Sequence, residues 1–293
     1  MRRRPRDLGL FFILGLGLFF GPGTSWAIYG PSLTRTDKKT ALRACEEANF
    51  SNSAAISEAL QDNDPAKIAL VLGKALEEVQ DTRVTYEVNA ARRFCVHELV
   101  PAQLPSEEEM ASREVRQPTA LVKQYKNLGI EYFYYGPDAA WTLEKNPVDL
   151  NLLAQDYLDL RWGREAFLMM TRLGWSQGAC QEGPDQFREV INHSEPFLVD
   201  YPDTEVSNDV RLELANAYAT WWNVSRMERK PPEQPEKYKV GANEAKQRAI
   251  QLYQQYLKAQ KEPDPEVEKR LKALQKNPEG SGKFDYFCED YED

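Results

Sequence analysis

The architecture of this chain rests on two segments, SNDVRLELANAYATWWN at residues 207–223 and EAKQRAIQLYQQYLK at residues 244–258. Apolar residues recur in both at helical spacing. They are Val210, Leu214, Ala217 and Tyr218 in the first segment, and Ala249, Leu252, Tyr253 and Tyr256 in the second. The spacing predicts two amphipathic helices, each with one apolar stripe, and we expect the two stripes to pack against each other as a helical hairpin.

Residues 1–27 have the three parts of an export signal. Arginines at positions 2, 3, 4 and 6 precede the apolar run Leu8 to Phe20, and Ser25-Trp26-Ala27 supplies the small residues that a signal peptidase recognises. The apolar run is short for a membrane span. We predict a cleaved signal peptide and a periplasmic or secreted protein; the alternative is an uncleaved signal that tethers the chain to the membrane.

The chain is acidic, with a formal net charge of −9 over 293 residues. The signal segment carries a net charge of +3, so its removal leaves −12. A surface of this sign repels nucleic acid and anionic lipid. We therefore expect no nucleic-acid partner.

Four cysteines are present, Cys45, Cys95, Cys180 and Cys288. An even count in an exported chain predicts disulfides, and three pairings are possible. We favour Cys45–Cys95 and Cys180–Cys288, because each bridge then joins one local region. No two cysteines form a CxxC pair, and the chain has only two histidines. We expect no metal site and no cofactor.

Residues 28–100 are predicted to form a small helical bundle. Helical periodicity runs from Lys38 to Leu99, Asp37 can cap the first helix, and Pro65 stands where a helix begins. Residues 101–119 hold three prolines and the acidic run Glu107-Glu108-Glu109, which indicates a linker.

A short pattern then recurs at residues 128–132, 153–157 and 214–218, where Leu is followed by a small residue and, four positions after the Leu, by Tyr. Leu and Tyr four positions apart share a helix face, and the small residue allows a second helix to approach. The pattern resembles the first helix of a tetratricopeptide repeat (TPR). The alternative is an irregular helical bundle that uses the same packing.

The resemblance extends furthest between residues 147 and 180. It places large, small and Tyr positions of the first helix at Leu150, Leu153, Ala154 and Tyr157, the turn at Arg161-Trp162-Gly163, and packing positions of the second helix at Ala166, Met170 and Leu173. Tyr201-Pro202-Asp203 resembles the turn of TPR proteins from bacterial cell envelopes, with Thr204 or Asp203 as the cap of the next helix. We predict an all-α fold with a TPR-like array over residues 120–276.

The C-terminal end divides into a last helix and a tail. Pro263 and Pro265 open the helix, whose polar outer side suits the cap of a helical array. Residues 277–293 form an acidic tail that contains Phe284, Tyr286, Phe287 and Cys288. We expect these residues to hold the tail against the body of the protein.

No catalytic motif is recognisable in the chain. It has no nucleophile elbow, phosphate-binding glycine loop or HExxH. The sequence shows no recognisable catalytic partner for His97 or His193, so we expect structural roles. Carboxylate pairs such as Asp156 with Asp159 are expected to be surface charges. The aromatic run 132–135 and the pair Trp221-Trp222 are expected to pack between helices; the alternative is a sugar- or peptide-binding surface.

Ligand contacts in TPR proteins come from the first-helix face turned away from the Leu–Tyr ridge. The resemblance therefore implies binding positions at Gln155, Leu158, Asp159, Asp209, Leu212, Asn216 and Thr220. The sequence predicts an exported, non-enzymatic interaction module of the bacterial cell envelope that binds a peptide or protein. The alternatives are a carboxylate-dependent, glycan-acting enzyme and a structural protein that only packs against its neighbours.

Overall fold

The structure is a computed structural model that describes residues 37–62, 65–79, 81, 83–100, 103–104, 132–134, 143–145, 148–175, 186–226 and 236–276. Helices dominate these ranges, and the predicted all-α class is confirmed. None of the helices in these ranges has the length and apolar character needed to cross a membrane. The predicted signal peptide, the predicted tail and the Cys180–Cys288 pair lie outside the described residues.

The N-terminal part consists of helices α1 (Lys38–Glu47), α2 (Ser53–Asp62), α3 (Pro65–Val79) and α4 (Tyr86–Leu99). Two of their starts were predictable from sequence. The Asp37 carboxylate accepts hydrogen bonds from the backbone N–H groups of Lys39 and Thr40, at 3.0 and 3.1 Å. Helix α3 begins at Pro65 as expected.

Helix α4 lies at the centre of this bundle and contacts both α1 and α3. Most of its residues are buried, including polar Arg92, His97 and Glu98. A disulfide joins Cys45 of α1 to Cys95 of α4, with their Cα atoms 4.8 Å apart. This pairing was the one favoured from sequence, and it is confirmed.

Three short strands, β1 (Gln103–Leu104), β2 (Tyr132–Tyr134) and β3 (Leu143–Lys145), form an antiparallel sheet in the order β1–β3–β2. In the register, Leu143 pairs with Leu104 on one side and with Tyr134 on the other. The sheet corrects one expectation. Tyr132 lies in a strand, so the motif copy at residues 128–132 does not end in a helix. Two residues of the predicted linker, Gln103 and Leu104, form β1.

The C-terminal part consists of α5 (Val148–Tyr157), α6 (Arg161–Arg172), α7 (Gln186–Asp200), α8 (Ser207–Val224), α9 (Glu236–Lys239), α10 (Ala242–Ala259) and α11 (Pro265–Lys276). Helix α8 packs along α10, as the two apolar stripes predict. Leu214 of α8 and Leu252 of α10 belong to one apolar cluster, each at most 1% exposed. The expected cap of α8 is corrected: its N-cap is Val206, and no side chain there supplies a capping hydrogen bond.

One apolar core runs from the N-terminal bundle into α5 and α6. The rings of Phe94 in α4 and Trp162 in α6 lie 5.1 Å apart. The Trp162 indole N–H donates to Glu47 of α1 at 3.0 Å. The Tyr157 hydroxyl accepts from the Asn89 amide at 2.9 Å. The two parts of the chain are therefore joined by side-chain packing as well as by the connecting segment.

The Leu-small-x-x-Tyr pattern is built into the core in two of its three copies. In α5, Leu153, Ala154 and Tyr157 are buried, and Tyr157 packs against α4. In α8, Leu214 and Ala215 are buried, while Tyr218 is half-buried and donates to Glu195 of α7. The small residues sit at fully covered positions, as close helix packing requires.

We expect the double substitution Cys45→Ala/Cys95→Ala to destabilise the protein by about 4 kcal/mol, because the bridge closes a loop of 50 residues. Urea unfolding under non-reducing conditions measures the loss. Wild-type protein treated with a reductant should show a similar loss. A peptide map that joins Cys45 to a cysteine other than Cys95 would contradict the assignment.

Gly163 provides a second test, since a Cβ atom there would lie 1.9 Å from the carbonyl oxygen of Tyr157. We expect Gly163→Ala to cost at least about 2 kcal/mol, because backbone must move to relieve the overlap. Gly73 in α3 is the control: nothing lies within 4 Å of its Cβ position. Gly73→Ala should stabilise the helix by about 0.5–1 kcal/mol. Equal Tm values for the two variants would refute the close approach of α5 and α6.

Candidate functional site

A line of charged and polar side chains crosses the helical array, and we call it the polar ladder. Its positions on α8 are four and three residues apart, so they share one helix face. Its members are Arg161, Arg164, Glu165 and Arg172 of α6, Glu205 in the turn before α8, Asp209, Glu213 and Asn216 of α8, and Arg270 of α11. The ladder connects three helices that are distant in sequence.

Ion pairs between α6 and the α8 region form the first part of the ladder. Arg164 donates to both carboxylate oxygens of Glu205, each at 3.0 Å. Arg172 lies 3.4 Å from Asp209 and 3.5 Å from Glu213. Because these groups are partly exposed, each pair stabilises the fold by at most about 1 kcal/mol. Their main effect is to fix how α6 meets α8.

Glu165 is the most enclosed carboxyl group of the ladder, with its side chain 12% exposed. Burial raises the pKa of Glu165 to about 7; Arg161 opposes this shift, and the negative charges of Glu205 and Asp209 add to it. Partial burial also raises the pKa of Asp209, again against an opposing arginine, Arg172. A raised pKa keeps a carboxyl group protonated at pH values where carboxyl groups are normally ionised.

Asn216 joins the second part of the ladder, where α8, α10 and α11 meet. Its side-chain oxygen accepts from the Tyr253 hydroxyl at 2.8 Å and from Arg270 at 3.0 Å. Its amide nitrogen donates to Glu213 at 3.2 Å. Since Asn216 is only 6% exposed, these bonds satisfy a polar group that would otherwise be costly to bury.

The predicted binding positions on α8 divide between the ladder and the core. Asp209 and Asn216 are ladder members. Leu212 is half-buried against the apolar cluster of α8 and α10. Thr220 is 1% exposed, and its hydroxyl has no hydrogen-bond partner among the described residues. Asn216 and Thr220 are therefore buried and do not lie on an open face.

The predicted positions at the end of α5 lie near α4, and the ladder reaches them at one point, where Arg164 donates to the backbone carbonyl of Asp159 at 2.9 Å. Gln155 is exposed and bonds to Asn151 one turn earlier, at 3.0 Å. Leu158 is half-buried and packs against the main core. Asp159 accepts from the Tyr86 hydroxyl at 3.1 Å. The structure does not bring these residues together with Asp209.

The most informative ladder residues were missed from sequence, namely Glu165, Arg172, Glu213 and Arg270. One signal was present, because Arg161 and Glu165 are four residues apart on a helix that also carries Arg164 and Arg172. That pattern is typical of an exposed charged face. It does not reveal that a second charged helix lies opposite.

The tryptophan pair packs within the protein. Trp222 is 3% exposed, and the cationic groups of Arg226 and Lys246 lie 4.3 and 4.7 Å from the centre of its ring. The Trp221 indole donates to the carbonyl of Tyr238 at 3.0 Å. The packing role expected for this pair is confirmed, and neither ring is an open platform for a sugar.

Outside the ladder, the described residues offer few groups that could bind a metal ion or act in catalysis. No group of three His, Cys, Asp or Glu side chains in the described part of the chain could hold a metal ion. His193 stacks on Trp175 with ring centres 3.9 Å apart, and burial lowers its pKa. Comparison with protein families, curated proteins and solved structures gives no match to this chain. The ladder is the candidate site because it groups charged and polar side chains from three helices.

We expect Asn216→Ala to destabilise the protein by about 1–3 kcal/mol, because it removes the acceptor that Tyr253 and Arg270 share. Asn208→Ala is the control, since Asn208 is half-buried, its bond to Tyr256 is longer, at 3.4 Å, and its 2.8 Å bond comes from Arg211 of the same helix; its loss should stay below about 1 kcal/mol. Urea unfolding measures both. If Tyr253→Phe lowers the free energy of unfolding by the same amount in the Asn216→Ala variant as in the wild type, the two effects are additive, and the shared bond does not couple the helices.

Proposed function

We propose that this protein is an exported, non-enzymatic scaffold of the bacterial cell envelope that binds a peptide or a protein segment along the polar ladder. The proposal is carried by one observation, the convergence of charged side chains from α6, α8 and α11 on one line. Helices placed side by side present such a line to an elongated ligand.

The chemistry of the ladder favours a peptide-like ligand. Arginines of α6 pair with carboxylates of the α8 region. The side chains of Arg172 and Arg270 remain about one-third exposed. Such groups can exchange their mutual ion pairs for the charges and backbone groups of a ligand, which gives orientation and specificity. Binding should therefore weaken with increasing salt concentration.

The proposed location is supported by the sequence and by the disulfide. The export signal predicted at residues 1–27 directs the chain out of the cytoplasm. The Cys45–Cys95 bridge is typical of an oxidising compartment such as the periplasm. The TPR-like assignment is supported by the buried Leu-small-x-x-Tyr copies in α5 and α8, and it remains part of the proposal.

A second candidate is the glycan-acting enzyme, which Glu165 favours. Glycoside hydrolysis requires one protonated carboxyl group and a second, ionised carboxylate near it. Glu165, with its pKa of about 7, has the chemical type of the acid, and Arg172 favours the ionised form of Asp209 across the α6–α8 contact, against the burial that raises the pKa of Asp209. We rank this function second because Glu165 is enclosed and the surrounding arginines already engage the neighbouring carboxylates.

We expect the immobilised mature protein to retain a defined set of proteins from an envelope extract, and Asp209→Asn to weaken their retention at least tenfold. Asp209 pairs with Arg172, so removing the charge of Asp209 changes the charge pattern of the polar ladder. Asp203→Asn is the matched control, because Asp203 is exposed in the turn before α8. Retention by the control should equal that of wild type, and each retained protein is then purified and titrated directly.

Equal retention by Asp209→Asn and wild type would place binding elsewhere and contradict the proposal. Release of reducing sugars from purified envelope glycan by the wild-type protein, lost in Glu165→Gln, would establish the second candidate. Parallel assays with the same preparations separate the two functions.

A further inference from the structure

Arg161, the ion-pair partner of Glu165 on α6, is not well placed to neutralise its charge. The Arg161 guanidinium lies 3.5 Å from the Glu165 carboxylate, one helical turn earlier. It also lies over the Trp162 ring, 5.0 Å from its centre. The buried Nε of Arg161 makes no hydrogen bond within the described residues. Arg161 therefore neutralises an ionised Glu165 only in part.

The elements packed against Glu165 bring further negative charge. Across the contact, Glu205, Asp209 and Glu213 face α6, and the remaining arginines, Arg164 and Arg172, are already engaged by them. The ladder arginine that pairs with Glu165 is Arg161, at 3.5 Å.

The start of α1 adds one more carboxylate to these surroundings, Asp37. Its charge raises the pKa of Glu165. A hydrogen bond from the Thr40 hydroxyl lowers the pKa of Asp37 itself, so this helix cap stays ionised. Lys39 lies beside Asp37 and also favours its ionised form. Among the residues that the structure describes, carboxylates thus outnumber guanidinium groups around an enclosed Glu165.

We propose that Glu165 makes the α6–α8 contact a proton-dependent joint: the helices pack closely while this carboxyl group is protonated, and the contact loosens when it ionises. The joint lies in the middle of the polar ladder, so it controls how rigidly the array holds its shape. The inference rests on the charges and burial around Glu165, and it holds whether or not the ladder binds a peptide.

The direction of the effect follows from linkage. Burial raises the pKa of Glu165 from 4.5 to about 7 in the folded chain. A group with a raised pKa stabilises the folded state fully below its unfolded value, and this contribution disappears as pH rises through the folded value. The protein should therefore lose stability between pH 6 and pH 8.5, in the range where most carboxylates no longer titrate.

Urea unfolding at pH 6 and pH 8.5 tests the joint with Glu165→Gln, which mimics the protonated carboxyl group. The wild-type folding equilibrium constant should fall roughly tenfold more than that of Glu165→Gln over this range. Glu244→Gln is the matched control, because Glu244 is exposed at the start of α10. Its pH dependence should equal that of wild type. If the free energy of unfolding of Glu165→Gln depends on pH in the same way as that of the wild type, the proposal is overturned.

Two further measurements locate the effect. Hydrogen exchange, corrected for intrinsic rates, should show α6 and α8 losing protection at pH 8.5 in wild type but not in Glu165→Gln. Carboxyl NMR of the wild-type protein should show Glu165 titrating near pH 7. A titration midpoint below pH 5 overturns the proposal even if the variant fails to fold.

Discussion

The buried guanidinium group of Arg92 is the interaction on which the N-terminal bundle depends. It is 6% exposed and donates to the carbonyl oxygens of Ala48, Asn49 and Glu78, at 3.0, 3.3 and 2.6 Å. These carbonyl groups lie at or near the ends of α1 and α3, where a helix leaves acceptors unsatisfied and carries partial negative charge. One cation inside α4 therefore satisfies two helix ends that would otherwise be costly to bury.

The rest of the chain is attached to α4 in turn. The Cys45–Cys95 bridge holds α1 on one side. Tyr157 and Trp162 hold α5 and α6 on another, through Asn89 and Phe94. From α6 onward, the ladder sets the contact with α8, and Asn216 links α8 to α10 and α11. The molecule is thus a series of helix contacts, each fixed by a small number of polar or aromatic side chains.

Local rules predicted much of this fold. The Asp37 cap, the start at Pro65 and the pairing of α8 with α10 follow from hydrogen-bonding groups and periodicity within a few residues. The strand at Tyr132–Tyr134 could not be predicted in this way, because its conformation is set by pairing with Leu143–Lys145. The ladder was missed for the same reason: a single helix face shows its own charges and not those that lie opposite.

If the chain is exported as proposed, the disulfide has a consequence for the order of events. Transport through a secretion channel requires an extended polypeptide, and a bridge between α1 and α4 cannot form where thiols are kept reduced. Before translocation the bundle lacks this covalent constraint, so the chain more readily keeps a form that the channel accepts. Under the proposed export, oxidation on the far side would then close the bridge, and tight folding would be confined to the destination.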